Sequence, residues 1–175
     1  MCEQSITLLR VAGRPASSYA RGMSPILDIQ RDKLCFCCGS DNERGLHLAI
    51  TYPVKGEAET ELVVPGWFSG WRNMTHGGLL STILDEIMAH ACIGIGGANE
   101  SAVTAEMTVR FLKPVQTGSR IRAVGKVSEM KGRIVRTEGR LLDAEGNIAA
   151  EATARFLIAR PTSRASPSSS PGSSE

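Results

Sequence analysis

The sequence predicts an α+β fold, with an antiparallel sheet of about six strands wrapped around one long central helix. Three observations lead there. The apolar stretch from Gly77 to about Ile95 has helical periodicity. Nearly every other folded segment reads as strand, and the separators between those segments are short turns built on Gly, Pro and Asn. Two strands, one helix and four hairpin-linked strands then make a single sheet with one helix against it.

The elements follow in order. Leu46 to Tyr52 and Glu57 to Val64 are two β-like runs around a Pro53/Gly56 turn. In the helix, Leu80, Ile83, Leu84, Ile87 and Ala91 fall on one face, and Gly94, Gly96 and Gly97 supply the stop. Ser101–Val115, Ser119–Met130, Arg133–Asp143 and Ile148–Ile158 come next, separated by Pro114 with Gly118, Lys131-Gly132 and Glu145-Gly146-Asn147. Alternation is clearest in the second of these, where Ile121, Ala123, Gly125 and Val127 point one way and Arg120, Arg122 and Lys126 the other. The sheet therefore has one buried and one wet face.

The chain has 175 residues, enough for one domain with a proper core. Its 42 % apolar and 22 % charged residues are an ordinary globular balance. A net charge of +2 calls for neither nucleic acid nor a membrane surface as partner, and no apolar run approaches the ~20 residues that span a bilayer. Five cysteines, odd in number and irregularly spaced, point to a reducing compartment, hence a cytoplasmic location. A mitochondrial or other organellar location is the alternative, because Arg10, Arg14 and Arg21 face Glu3 alone in the first 22 residues. That segment reads either as a transit peptide or as a plain extension. The domain organisation expected is a flexible extension at 1–33, a folded domain at 34–159 and a disordered tail at 160–175, where Ser and Pro dominate.

Chemistry concentrates at residues 76–86, His-Gly-Gly-Leu-Leu-Ser-Thr-Ile-Leu-Asp-Glu. The glycines bring bare backbone N–H groups to the positive end of the helix dipole. An acid buried well inside the helix is costly unless it is used or paired. Gly78, Ser81, Thr82, Asp85 and Ala89 share one narrow sector, and no Lys or Arg occurs from Met74 to Ala98. Small residues there permit close approach by a ligand or a second polypeptide. Gly77 and Asp85 are separated by about 12 Å along the helix axis at ~1.5 Å per residue. One carbonyl cannot touch both within a single chain, so the spacing predicts a homodimer, or a dimer of dimers, with shared sites. Glu86 lies about 100° around the helix from Asp85, and pairs with His90 four residues on.

His76-Gly-Gly with Asp85 nine positions later, flanked by strands, resembles the hotdog-fold acyl-CoA thioesterases of the phenylacetate-degradation (PaaI-like) type. Cys35-Phe-Cys-Cys-Gly-Ser-Asp-Asn-Glu-Arg-Gly-Leu-His-Leu is similar to the opening of one hotdog subgroup. The likeness runs from about Cys35 to Ile158. It implies the hotdog fold, hydrolysis of an acyl-CoA thioester to free acid and coenzyme A, and no metal or organic cofactor. By the same resemblance Asp85 is the general base or nucleophile, and the Gly77 N–H polarises the carbonyl oxygen. His76 orients the loop or assists the leaving thiolate, and Thr104 stands where related enzymes place a serine that positions water. The asparagine that related enzymes carry six residues before the histidine is Gly70 here, with Asn73 as a substitute at a different spacing.

Thioester hydrolysis develops negative charge on the carbonyl oxygen, and a preorganised N–H donor is worth roughly 3–4 kcal/mol there. Water must also lose a proton, which a positioned carboxylate accepts. Gly78, Asn73, Trp71 and Thr82 are the further candidates for contact with substrate. The rival readings are a hydroxyacyl-thioester dehydratase or hydratase, against which the double glycine speaks, and a non-catalytic acyl-CoA binding module, against which Asp85 speaks.

Three weaker signals complete the reading. Cys35 and Cys38 have zinc-ligand spacing, but a structural zinc needs four ligands. The sequence shows no second pair, only the isolated His47 and Cys92, so inert buried cysteines are expected. Nine Lys/Arg residues against two acids lie between Arg110 and Arg140. Most are expected to coat the wet sheet face, with Lys113, Lys131 and Arg133, near turns, as the candidate coenzyme A phosphate contacts. Trp67, Phe68 and Trp71 precede the helix and either line an acyl pocket or pack into the core.

Overall fold

The computed structural model describes residues 32–96 and 101–159. The expected extension up to residue 31, the tail from residue 160 and Gly97 lie outside them. Strands β1 (Ile50–Thr51) and β2 (Glu57–Val63) are followed by a hairpin of β3 (Ser69–Trp71) and β4 (Met74–Thr75). Helix α1 (Gly77–Gly96) follows, then β5 (Ser101–Phe111), β6 (Arg120–Lys131), β7 (Ile134–Leu142) and β8 (Ile148–Ala159). Six strands form one sheet in the order β1–β2–β6–β7–β8–β5, every neighbouring pair antiparallel. The α+β architecture expected from the sequence is the one observed.

The helix buries its apolar stripe against one face of this sheet. Ile83, Leu84, Ile87, Met88, Ala91 and Cys92 are completely buried, facing Ile121, Val135, Leu141 and Phe156 of the strands. Gly125 and Gly139 are directly opposite each other on β6 and β7 and form the seat. A Cβ on Gly125 would lie 2.6 Å from the Ile87 carbonyl oxygen, and one on Gly139 would lie 3.0 Å from Met88 Sδ. Backbone thus approaches backbone at Gly125 and side chains at Gly139, which fixes the height of α1 above the sheet.

The other face is wet, as the alternation in β6 requires. Arg120 pairs with Glu61 at 3.4 Å, Lys126 with Glu57 at 2.8 Å, Arg136 with Glu129 at 3.2 Å and Arg110 with Glu151 at 2.9 Å; Arg122 bonds Glu59. Exposed pairs of this kind contribute about 0–1 kcal/mol each. They do show that five of the nine cations between 110 and 140 are matched by cross-strand acids.

Several boundaries differ from expectation for physical reasons. Leu46 and Leu48 belong to no strand, because their N–H groups donate to the carbonyls of Phe36 and Cys37 in the preceding loop. Strand β5 stops at Phe111, where the N–H groups of Leu112 and Lys113 converge on the Ala149 carbonyl, and Pro114 has no N–H to continue the ladder. The β3–β4 hairpin replaces an expected loop. Its two corner residues, Arg72 (φ 29°) and Asn73 (φ 67°), are left-handed, as a two-residue hairpin turn demands.

Candidate active site

Asp85 lies half-buried on α1, and its Oδ1 accepts a hydrogen bond of 2.7 Å from Thr104 Oγ1. The strand is shaped for this contact. Its register against β8 shifts between Thr104 and Glu106, and such a bulge re-aims the side chain beside it. The hydroxyl occupies one oxygen of the carboxylate and holds its plane. Replacing Thr104 with valine removes the hydrogen bond that fixes the carboxylate, and a misplaced reacting group costs on the order of 10- to 100-fold in kcat. Thr104 is exposed, so the melting temperature is expected to hold. Steady-state kinetics beside a thermal melt check both.

At the other end, His76 caps the helix. Its Nδ1 accepts from the Gly78 N–H at 2.9 Å, its own N–H donates to the Phe68 carbonyl at 2.9 Å, and its carbonyl accepts from Leu79 N–H at 3.0 Å. With Gly78 engaged, the Gly77 N–H is left without an acceptor among the described residues. Both glycines lie close to movable side chains. A Cβ at Gly78 would stand 2.9 Å from His76 Nδ1, and one at Gly77 3.3 Å from the Phe111 ring. Gly70 lies against the same histidine, where a Cβ would come within 3.3 Å of His76 Cα. Asn73, by contrast, spends its carbonyl on Thr117, accepting from the backbone N–H at 2.7 Å and from Oγ1 at 3.1 Å.

A cleft of about 270 Å³ opens over this helix start, lined among others by Met74, Thr75, Gly77, Leu80, Phe111 and Lys113. Lys113 and Gly77, two sequence candidates, therefore meet in one cavity. Thr75 was missed by the sequence reading. Its hydroxyl is buried with no hydrogen-bond partner among the described residues, a donor available to whatever fills the cleft. Only its place next to His76 could have signalled it. Ser81 Oγ turns inward to the Gly77 carbonyl at 3.0 Å, while Thr82, half-buried, lies one turn before Asp85.

Other candidates are not gathered here. Lys131 ends β6 and Arg133 closes the two-residue turn that follows, at the sheet end where Ile134, Leu157 and Val103 stand side by side. Arg133 Nε donates to the Ile158 carbonyl at 2.9 Å. Trp67 and Trp71 are 76 % and 81 % exposed, so core packing is met by Phe68 and not by them. Trp71 pairs with Met74 across the hairpin and so reaches the cleft rim by way of its neighbour.

A second polar cluster lies around the helix from Asp85. Glu86 Oε1 is 3.1 Å from His90 Nε2, the pairing read from their spacing, and Tyr52 Oη is 2.6 Å from His90 Nδ1. Cys35 Sγ is 3.7 Å from Glu86 Oε1 and Cys38 Sγ 3.6 Å from His90 Nε2. Burial works to raise the Glu86 carboxyl, but hydrogen bonds from His90 and Cys38 bring it below the usual carboxylate range. Burial, and then the neighbouring Glu86, push the Cys38 thiol up. Cys37 and Cys92 are buried, in line with the reading of inert cysteines. Cys35 and Cys38 are turned toward titratable groups instead.

No helix among the described residues is long and apolar enough to cross a membrane. The sequence pattern of the Thioesterase superfamily matches residues 73–150. The chain is 26 % identical over 142 residues to the acyl-coenzyme A thioesterase THEM4 of Xenopus laevis, covering 79 % of this chain. It spans 62 % of that protein's length. Among solved structures, the PaaI protein of the E. coli phenylacetic acid degradation operon superposes with a TM-score of 0.60 at 20 % identity, over 67 % of this chain and 81 % of that one. The smu.793 protein of Streptococcus mutans UA159, solved with acetyl CoA bound, superposes with a TM-score of 0.59 at 18 % identity, over 65 % of this chain and 89 % of that one. Residues 73–150 are thus similar to the Thioesterase superfamily, and the fold is the hotdog fold shared with the PaaI protein.

Proposed function

We propose that this chain hydrolyses acyl-CoA thioesters as a symmetric homodimer, each site joining Asp85 of one chain to the Gly77 N–H of its partner. The observation that carries the reading is the 2.7 Å bond between Thr104 and Asp85 on a helix whose start offers a free N–H in a cleft. Asp85, steadied by Thr104, takes a proton from water. The water oxygen bonds to the thioester carbon while the N–H holds the developing oxyanion. The C–S bond then breaks, and the proton passes to the departing thiolate of coenzyme A. Nothing in these steps calls for a metal or an organic cofactor. Lys113 suits a phosphate of the coenzyme, and the likeness to the frog acyl-coenzyme A thioesterase supports the substrate class.

The need for a second chain follows from distance, since Gly77 and Asp85 share one helix and stand about 12 Å apart along its axis. It has support in the edge of the sheet. Strand β5 ends the strand order, and Val103 and Phe111 along it are 54 % and 53 % exposed. A long edge strand with exposed apolar side chains is a template for pairing with another copy.

Complementation tests the shared site. Gly77→Pro deletes the one N–H at a helix position that tolerates proline. Asp85→Asn removes the base. Each homodimer is expected to be inactive toward a panel of acyl-CoAs. Mixed dimers carrying one chain of each kind regain about half of the wild-type rate, because one of the two sites is then intact. Absence of any recovery in verified mixed dimers refutes the shared site, and a wild-type chain that hydrolyses no acyl-CoA of any length refutes the activity.

A further inference from the structure

Three potential metal ligands cluster where the loop over residues 32–48 meets the helix, with a fourth, His90, against two of them, away from the residues of the proposed reaction. The thiols of Cys35 and Cys38 and the carboxylate of Glu86 lie within 4.8 Å of one another. His90 Nε2 stands 3.6 Å from Cys38 Sγ and 3.1 Å from Glu86 Oε1, and Cys35 Sγ is 3.7 Å from Glu86 Oε1. Zinc–ligand bonds of about 2.3 Å to sulfur and 2.0–2.1 Å to nitrogen or oxygen, at tetrahedral angles, make edges of about 3.6 Å for S···N, 3.5 Å for S···O and 3.3 Å for N···O. Three of the six edges of such a tetrahedron, Cys38–His90, Cys35–Glu86 and His90–Glu86, match these values within about 0.2 Å.

The surroundings are built for such a centre. Gly39 has no room for a side chain, since a Cβ would fall 2.5 Å from the carbonyl oxygens of both Cys35 and Lys33. The chain therefore doubles back over Cys35, closed by Gly39 N–H to the Cys35 carbonyl at 2.8 Å and Asp41 N–H to the Lys33 carbonyl at 2.9 Å. That knuckle presents Cys35 and Cys38 to the helix, while Cys37 between them faces the core at 2 % exposure. The second pair of ligands comes from α1 at i, i+4 spacing. His90 is buried, and Tyr52 Oη stands 2.6 Å from its Nδ1, able to accept that proton and leave Nε2 bare for a metal.

The geometry points to a structural zinc site formed by Cys35, Cys38, Glu86 and His90. Four protein ligands leave no open position, so the ion's work is mechanical. It pins the knuckle to the turn of α1 that carries Asp85 on its other side. Two sulfurs with one nitrogen and one oxygen suit zinc over magnesium or calcium, which take oxygen alone. The site is independent of the proposed reaction, and its test reads metal, not turnover.

The experiment uses the full chain, purified without chelator and with any histidine tag removed, its metals measured by plasma mass spectrometry. About one zinc per chain is expected, along with a tetrahedral thiolate–cobalt spectrum after exchange with Co²⁺. Cys38→Ser and Glu86→Gln are each expected to weaken zinc binding at least tenfold, and Asp85→Asn to leave metal content unchanged. Should a ligand variant fail to fold, wild-type protein titrated with a zinc chelator remains decisive, because removal of the ion must lower the melting temperature. A wild-type chain that stays metal-free after incubation with excess zinc, or one that binds zinc equally well without Cys35 and Cys38, overturns the proposal.

Discussion

Asp85→Asn is expected to lower acyl-CoA hydrolysis by two to four orders of magnitude, the usual contribution of a positioned acid–base group, while the fold stays in place. The substitution isolates chemistry from shape. Asparagine has the same outline, and its Oδ1 can still accept the 2.7 Å hydrogen bond from Thr104. What it cannot do is take a proton from water or form an acyl anhydride. The circular dichroism spectrum and the melting temperature should match those of the wild type, with KM nearly unchanged, because the lost interaction belongs to the transition state. Turnover within tenfold of wild type would remove Asp85 from the mechanism. A single turnover in ¹⁸O-labelled water separates the two roles open to the carboxylate. As a base it stays unlabelled and the product acid gains the label, whereas as a nucleophile it carries label after hydrolysis of its anhydride.

Much of this site was legible in the sequence, and what was missed has a common cause. The helix from Gly77 and the alternation from Arg120 to Val127 are local periodicities, and local periodicity survives folding unchanged. The Glu86–His90 pair was legible for the same reason, as one turn of helix brings i and i+4 together. Its meeting with Cys35 and Cys38 was not, because that contact joins residues some fifty positions apart through the docking of a loop. The same loop takes the N–H groups of Leu46 and Leu48, which is why an apparent seven-residue strand shrinks to Ile50–Thr51. Trp67 and Trp71 looked equally fit for core or pocket, and aromatic character alone cannot choose between them. Trp71 lies on a hairpin whose left-handed corner, Arg72-Asn73, has no glycine to advertise it, and Trp67 on the short 3-10 turn before that hairpin.

Gly125→Ala is expected to be the most damaging single-methyl change in the sheet. The added Cβ would sit 2.6 Å from the Ile87 carbonyl oxygen and 3.0 Å from Met88 Cα, both part of the helix backbone and neither able to rotate away. Overpacking of this kind costs about 1–3 kcal/mol or more, and at the size of this domain lowers the melting temperature on the order of 5–10 °C. Relief requires α1 to rise or shift along the sheet, and α1 carries Asp85 while Thr104 is held by β5. The variant is therefore expected to lose kcat as well as stability, with the loss persisting well below its melting temperature. Gly146→Ala supplies the contrast. Its Cβ meets nothing within 4 Å, but the residue has φ 83°, so the change costs only the left-handed conformational penalty of about 1 kcal/mol. Turnover measured on folded protein should be untouched there. Thermal melts and kinetics on the two variants together distinguish a helix set at a fixed height above Gly125 and Gly139 from one that floats. Equal destabilisation in both, with full activity in Gly125→Ala, would show that the seat does not position the site.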